Sequence, residues 1–472
     1  MLLGRDSPPS GGSAARGRIR CSPPVRSLPL AHGRLNHLLV VAAFTPDAAR
    51  ALGGPEWLVA RRLAAAEQLA ALTWPTPAEE IWRYSRINEL DLDRYRPFTT
   101  EELGAPGDER APGGGPWAAE AGKHAAMIVV RDGRVVRHEL DPALEAKGVR
   151  ACGIAMCDDD VVQELIGRAS ATTADAFTML HDAFLAGGAF VHVPAGVVIE
   201  DPILVLHWSE GDDRASFPHT LVALEEGAQA TVLERFGSPA TNHLVDAVTE
   251  LIVDDNAHLR YLSVQEHGPR TWHLGFQRAE IGRDATVRTS AVALGGDYAR
   301  LRSEARLNGQ GSESNQLAVY FGDGTQMLDF RTLQDHSAPR TNSDLLFKGA
   351  VEDDARSVYS GLVRLRPEAQ KANAAQTNRN LVLTEGASAE SIPNLEIEAN
   401  DVRCSHASTV GPIDDDQRYY LESRGIAPED AERLIVLGFF DDVFERLPVG
   451  ALTRGLRASV VEKLEHRRPR RG

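Results

Sequence analysis

His258-Leu-Arg-Tyr-Leu-Ser-Val264, Thr271-Trp-His-Leu-Gly-Phe276 and Ala285-Thr-Val-Arg-Thr-Ser-Ala-Val292 decide the fold. Apolar and polar residues alternate in each run, and a period of two sends one face inward and the other outward. The same texture extends both ways, through Ala230-Thr-Val-Leu-Glu-Arg-Phe236 before and Ser314-Asn-Gln-Leu-Ala-Val-Tyr-Phe321 and Met327-Leu-Asp-Phe-Arg-Thr-Leu333 after. Turn signals separate the runs, among them Glu226-Gly227, Gly295-Gly296-Asp297, Asn308-Gly309 and Gly322-Asp323-Gly324. No ten-residue helical pattern intervenes between about 188 and 400, which argues against βαβ units. A sandwich, a barrel or a solenoid remains; that much short-strand sequence is long for one sandwich, and stacked rungs suit the length. The inward positions read as small or β-branched, as a narrow solenoid interior requires, at roughly 20 residues per rung. A solenoid leaves open strand edges at its ends, so a covering element or an oligomer interface is expected.

Both flanks read as helical. Residues 55–72 form one helix, with Pro55 in its first turn and Val59, Leu63, Ala66 and Ala70 on one face. A second helical patch covers 158–186. Thr172 or Thr173 is its cap, Phe177, Leu180 and Phe184 its apolar face, and Gly187-Gly188 its stop. Residues 101–117 read as a Gly/Pro linker. Past 412, helices start at Asp414 and Pro428, and a third carries Leu452, Leu456, Val460 and Leu464 at i, i+4 spacing. Residues 1–48 carry six arginines and two acids. A basic leader of this kind serves in some chains as a targeting signal, but here it reads as a disordered extension or a start assigned too far upstream.

The 472-residue chain carries 51 Lys and Arg against 67 Asp and Glu, a net charge of −16, which argues against nucleic-acid binding. No stretch approaches 18 apolar residues, so no membrane span is expected. Cys21, Cys152, Cys157 and Cys404 make no disulfide framework and no Cys-x-x-Cys pair. Inert thiols in a reducing, cytoplasmic setting follow. Gly-x-x-x-x-Gly-Lys-Ser/Thr, Gly-x-Ser-x-Gly and His-Glu-x-x-His are absent, so ATP hydrolysis belongs elsewhere.

The best local constellation is Asp401-Val-Arg-Cys404-Ser-His406-Ala-Ser-Thr409. On a strand, Cys404 and His406 share a face, and a thiolate beside an imidazole suits iron or an iron–sulfur cluster. Two ligands do not complete a site, and a packed Cys with a hydrogen-bonded His is the plainer reading of the spacing. His258, His267 and His273 fall in successive strands, where hydrogen-bonded or solvated roles are the simpler account. The acidic runs Asp158–Asp160, Asp212-Asp213 and Glu352–Asp354 read as solvated turns.

The segment Pro393–Gly425, with Asp401-Val-Arg-Cys-Ser-His-Ala-Ser-Thr-Val-Gly411 at its centre, resembles the C-terminal signature of the SufB/SufD family of iron–sulfur cluster assembly scaffolds. Its wording is closer to the SufD branch. Glu80-Ile-Trp-Arg-Tyr-Ser85, Val191-His-Val-Pro-Ala-Gly196, Glu200-Asp-Pro-Ile203, Thr341–Gly349 and Tyr359-Ser-Gly361 are similar to further family elements. The resemblance implies a mainly β protein, a right-handed parallel β-helix flanked by N- and C-terminal helical domains. The divisions expected are 1–48, 49–125 with the linker, 126–411 for the β-helix and 412–472 for the last helices. It implies a non-catalytic scaffold that pairs edge to edge with a SufB-type paralogue. A SufC-type ATPase would dock on the C-terminal helices and open that interface. His406, and less surely Cys404, would meet transient iron or cluster there, and a reduced flavin would belong only to the assembled complex. The upstream cluster-building Cys of SufB is missing, with Asn378 at the best-matching position of Gln376–Leu383. Alternatives are a SufB-like chain that holds a cluster alone, a homodimer in isolation, and a carbohydrate-active β-helix enzyme.

Overall fold

The computed structural model describes residues 43–103, 122–157, 160–170, 175–448 and 450–465, with backbone only at 451–453. From Ala189 to Gly411 the longer strands alternate between two sheets. Each pairs in parallel with the second strand along the chain, not the next. His243–Val253 pairs with Thr271–Ile281, which pairs with Tyr298–Leu307, while His258–Glu266 joins Thr286–Ala293 in the opposite sheet. Parallel neighbours need a crossover, and here the crossover is the strand of the facing sheet. The result is a β-solenoid of about 8 turns, with helices at both chain ends. Hydrogen bonds between neighbouring coils join residues 30 apart, as from Gln265 to Gly295 and from Gly268 to Ser238. The expected rung of roughly 20 residues is therefore too short, because each coil contains two long strands and two turns.

The interior changes along the stack. The early coils are filled by Ile203, Val205, Val222, Leu251, Leu259 and Val287. Burying each such side chain stabilises the fold by about 1.5–3 kcal/mol. Farther on, Tyr320, Phe330, Phe347 and Tyr359 take over, so the small or β-branched expectation holds only for the first part. Gly349 makes this possible, since a Cβ there would lie 1.9 Å from the Tyr320 ring.

The outer faces are covered by the chain ends. Phe44, Trp82, Phe177, Leu180 and Phe184 pack against Phe217, Leu244, Trp272 and Tyr298 of one sheet. Val436, Phe440, Val443, Leu456, Val460 and Leu464 pack on Val319, Phe321 and Ala350 of the other. Lys348 fastens this second layer, donating to Phe439 O at 2.8 Å and Asp442 at 2.6 Å. The Glu80–Ser85 element is a clamp. Arg300 lies 3.8 Å from the Trp82 ring centre and donates to Ile81 O, and Arg331 donates to Arg83 O. Burial pushes Asp329 up, but Arg300 and Arg331 outweigh it and hold this carboxyl below its ordinary range.

Several expectations shift. Thr45 caps a helix over Pro46–Ala51, and Phe44 is buried, so ordered structure begins inside the expected 1–48 extension. The helix predicted over 55–72 spans Glu56–Leu69, and its buried face is Leu58, Arg62, Ala65 and Ala66 instead of the Val59 stripe. The 158–186 patch is two helices, Asp160–Leu165 and Ala176–Phe184, the second capped by Asp175 through a capping box. Thr172 and Thr173 lie outside the described residues, as do most of the linker, Asp158 and Cys21. Cys152 and Cys157 are joined as a disulfide, contrary to the inert-thiol reading, because the turn Gly153–Cys157 folds back through Met156 N and Cys157 N onto Gly153 O. Glu352 is buried instead of solvated. No described helix is long and apolar enough to cross a membrane.

Candidate functional site

The last two strands of the solenoid, Ser388–Ile397 and Arg403–Gly411, each end their sheet. Among the described residues each pairs only inward, with Arg356–Leu365 and Asn373–Val382 respectively, so each turns outward a backbone edge that no described strand pairs. Cys404 stands beside Ala374 and His406 beside Gln376 in this ladder. Residues two apart on a strand share a face, so the structure brings Cys404 and His406 to one side of the terminal strand, as the sequence predicts.

Their environments differ. Cys404 is a free thiol, half-buried against Val363, Leu365, Ala372 and Leu395. Burial pushes this thiol above its ordinary value, so it is protonated at neutral pH. His406 is exposed and has no hydrogen-bond or ion-pair partner among the described residues. Its two ring nitrogens are therefore open to a metal or a proton. Among the described residues no group of three or more His, Cys, Asp or Glu is arranged to hold a metal ion. One thiol and one imidazole are two donors, fewer than a metal site needs.

Asn378 is wholly buried. Its amide donates to Tyr320 Oη at 3.0 Å and Phe347 O, and its carbonyl oxygen accepts from Asn380 at 2.7 Å. Tyr320 Oη donates to Asn380 Oδ1 at 2.6 Å, which completes a satisfied interior ring. Of the three histidines, His258 is exposed and separate. His267 Nε2 and His273 Nδ1 lie 2.9 Å apart inside the fold. Burial, with neighbouring histidines, pushes His267 well below its ordinary value and His273 down to about 3.

Sequence reading missed a second set of buried polar groups. His181 Nε2 lies 3.0 Å from His219 Nδ1, and His219 Nε2 lies 3.2 Å from Glu250. Glu250 also accepts from the amides of Gly167, Ala169 and Ser170. Glu234 gathers His207, Thr220, Thr249 and Tyr261. These partners are 13 to 83 residues apart in the chain, so no local motif announces them. Their hydrogen bonds satisfy most of these buried groups, while His219 Nε2 and His207 Nδ1 have no hydrogen-bond partner.

With this geometry in hand, comparison with known proteins is informative. The family described as "SUF system FeS cluster assembly, SufBD core domain" matches residues 207–439. An iron–sulfur cluster assembly SufBD family protein of Mycobacterium tuberculosis is 35% identical over 302 residues, covering 62% of this chain and 74% of that protein. The iron–sulfur cluster assembly protein SufD of Escherichia coli is 30% identical over 409 residues, covering 85% of this chain and 91% of its own length. SufD of Bacillus subtilis is 29% identical over 419 residues, covering 87% and 94%.

Proposed function

Because this chain belongs to the SufBD family of iron–sulfur cluster assembly proteins, we propose that it serves as a SufD-like, non-catalytic scaffold subunit. Its partner at the solenoid end is a SufB-type paralogue, and cluster forms between the two. The observation that carries this reading is the unpaired terminal strand Arg403–Gly411 with Cys404 and His406 on one face. A second solenoid continuing the stack would satisfy the open backbone groups and supply the missing ligands. Iron and sulfide are the cargo of this site, not a resident cofactor.

The chemistry assigned to each residue follows from its surroundings. His406 offers an exposed imidazole to iron or a proton. Burial pushes the Cys404 thiol further above its ordinary value, and it becomes a thiolate ligand when a bound metal ion displaces its proton. Opening of the terminal coil would give iron access to the thiol. Force for that opening would come from a SufC-type ATPase on the C-terminal helices, where Tyr419, Tyr420 and Leu434 expose large apolar surface.

The test is reconstitution with the paralogue and the ATPase. We expect His406→Ala to lower cluster yield at least tenfold while the native mass of the complex is unchanged. Normal yield from an intact His406→Ala complex removes the role. Iron and sulfide retained by the isolated chain would instead favour a scaffold that binds a cluster by itself.

A further inference from the structure

The helix Glu56–Leu69 turns one charged side chain inward. Arg62 is wholly buried; its Nε donates to Leu58 O at 3.3 Å, its Nη2 donates to Gly53 O, and its Nη1 has no partner. No carboxylate is among these contacts. A guanidinium keeps its charge in proteins, and a buried charge without a counter-ion costs several kcal/mol. Burial, with the nearby positive charge of Arg134, pulls Arg62 down to about 10, the direction expected where negative charge is wanting.

Arg62 stands behind the wall of a cleft of about 250 Å³. Gly53, whose carbonyl it holds, lines that cleft, and a Cβ at the adjoining Gly54 would come 3.5 Å from its Nη2. Arg134 lines the same cleft. The backbone is bare at two further points: a Cβ at Gly53 would meet nothing within 4 Å, and one at Gly187 nothing nearer than 3.6 Å. Bare backbone beside open space lets a ligand approach main-chain amides closely. Apolar surface comes from Val135 and Met156, the latter inside the Cys152–Cys157 loop.

We propose that this cleft binds a small molecule bearing an oxyanion, phosphate or carboxylate. Its acid group neutralises Arg62, and its apolar part lies against Val135 and Met156. The site is separate from Cys404 and His406 and does not depend on the cluster-assembly reading.

The test is titration of the full chain with inorganic phosphate and, separately, acetate, read by thermal unfolding and calorimetry against sodium chloride of equal ionic strength. We expect a saturable rise in Tm with at least one anion, and the effective anion identifies the acid group. Arg62→Met keeps the apolar stem and should weaken that binding at least tenfold. Its own Tm without anion should stay within a few degrees of the parent. Gly187→Leu fills the cleft with Arg62 in place and should weaken binding as much, so the answer does not depend on Arg62→Met folding. No saturable rise with either anion, or undiminished affinity in Gly187→Leu, overturns the proposal and leaves Arg62 as a prop for the Gly53 and Leu58 carbonyls.

Discussion

The two ends of the solenoid solve the edge problem in opposite ways. At the N-terminal end the chain reverses: Arg134–Leu140 runs antiparallel to Ala126–Arg131, and Arg150–Gly153 antiparallel to Ala189–Val193. The outermost strand there carries Arg137, His138 and Glu139, charges of the kind that deter further pairing. At the C-terminal end the strands stay parallel and in register with the coil before. From Cys404 to Gly411 the last strand has no Lys, Arg, Asp or Glu. The companion edge Ser388–Ile397 does carry Glu390, Pro393 and Glu396, so the contrast is sharpest at the last strand. There the eight uncharged residues Cys404–Gly411 leave a parallel edge that can template another strand.

The interiors repeat the contrast, and the largest expected effect tests it. Leu251, fully buried near the finished end, should lose about 2–5 kcal/mol of stability as Leu251→Ala. Val410, exposed on the last strand, should lose less than about 0.5 kcal/mol as Val410→Ala in the isolated chain. Denaturant unfolding of both variants checks the pair, and equal losses would mean that the terminal coil is already covered.

Charge on the open edge comes next. The double variant Ala407→Lys, Thr409→Lys copies the device of the finished end. It should weaken association with the paralogue by about a hundredfold and leave the Tm of the isolated chain unchanged. Undiminished association would place the interface elsewhere. Acid gives the gentlest test. His181 and His267 are pushed well below their ordinary value by burial and by a neighbouring histidine; burial takes His243 to about 4 and, with nearby His207, His273 to about 3. A histidine with a depressed folded value binds its proton in the unfolded chain first. Its contribution is whole above about pH 6.5 and is lost as pH falls towards 4, by roughly 1.4 kcal/mol per pH unit for each such group. Hydrogen exchange across that window should open the coils around these histidines before residues 373–411, where His406 is exposed. Early opening of the terminal coil would reverse the order of the two ends.

Much of this architecture is legible in the chain. Alternation in runs such as His258–Val264 marks strands, the lack of helical spacing between them argues against βαβ units, and the length favours stacking over a sandwich or a barrel. Cys404 and His406 share a face by spacing alone. Other features were not legible because they arise between coils. The glycine at 349 has meaning only once Tyr320, 29 positions earlier in the chain but adjacent in the ladder, lays its ring across it. Arg62 lies off the stripe Val59, Leu63, Ala66 and Ala70 that the spacing predicts, because helix periodicity tolerates a shift of the buried face, and only the packing of Glu56–Leu69 on its neighbours decided it.

By itself, then, the chain determined its strands, its stacking and the pairing of Cys404 with His406, because period-two patterning is local and needs no partner to be read. Which strand became the open edge, how far the Cys404 thiol is buried and which charges are enclosed were decided only by the tertiary structure. The physical reason is that burial and edge exposure belong to the assembled stack, about 30 residues per coil, and no single coil contains them.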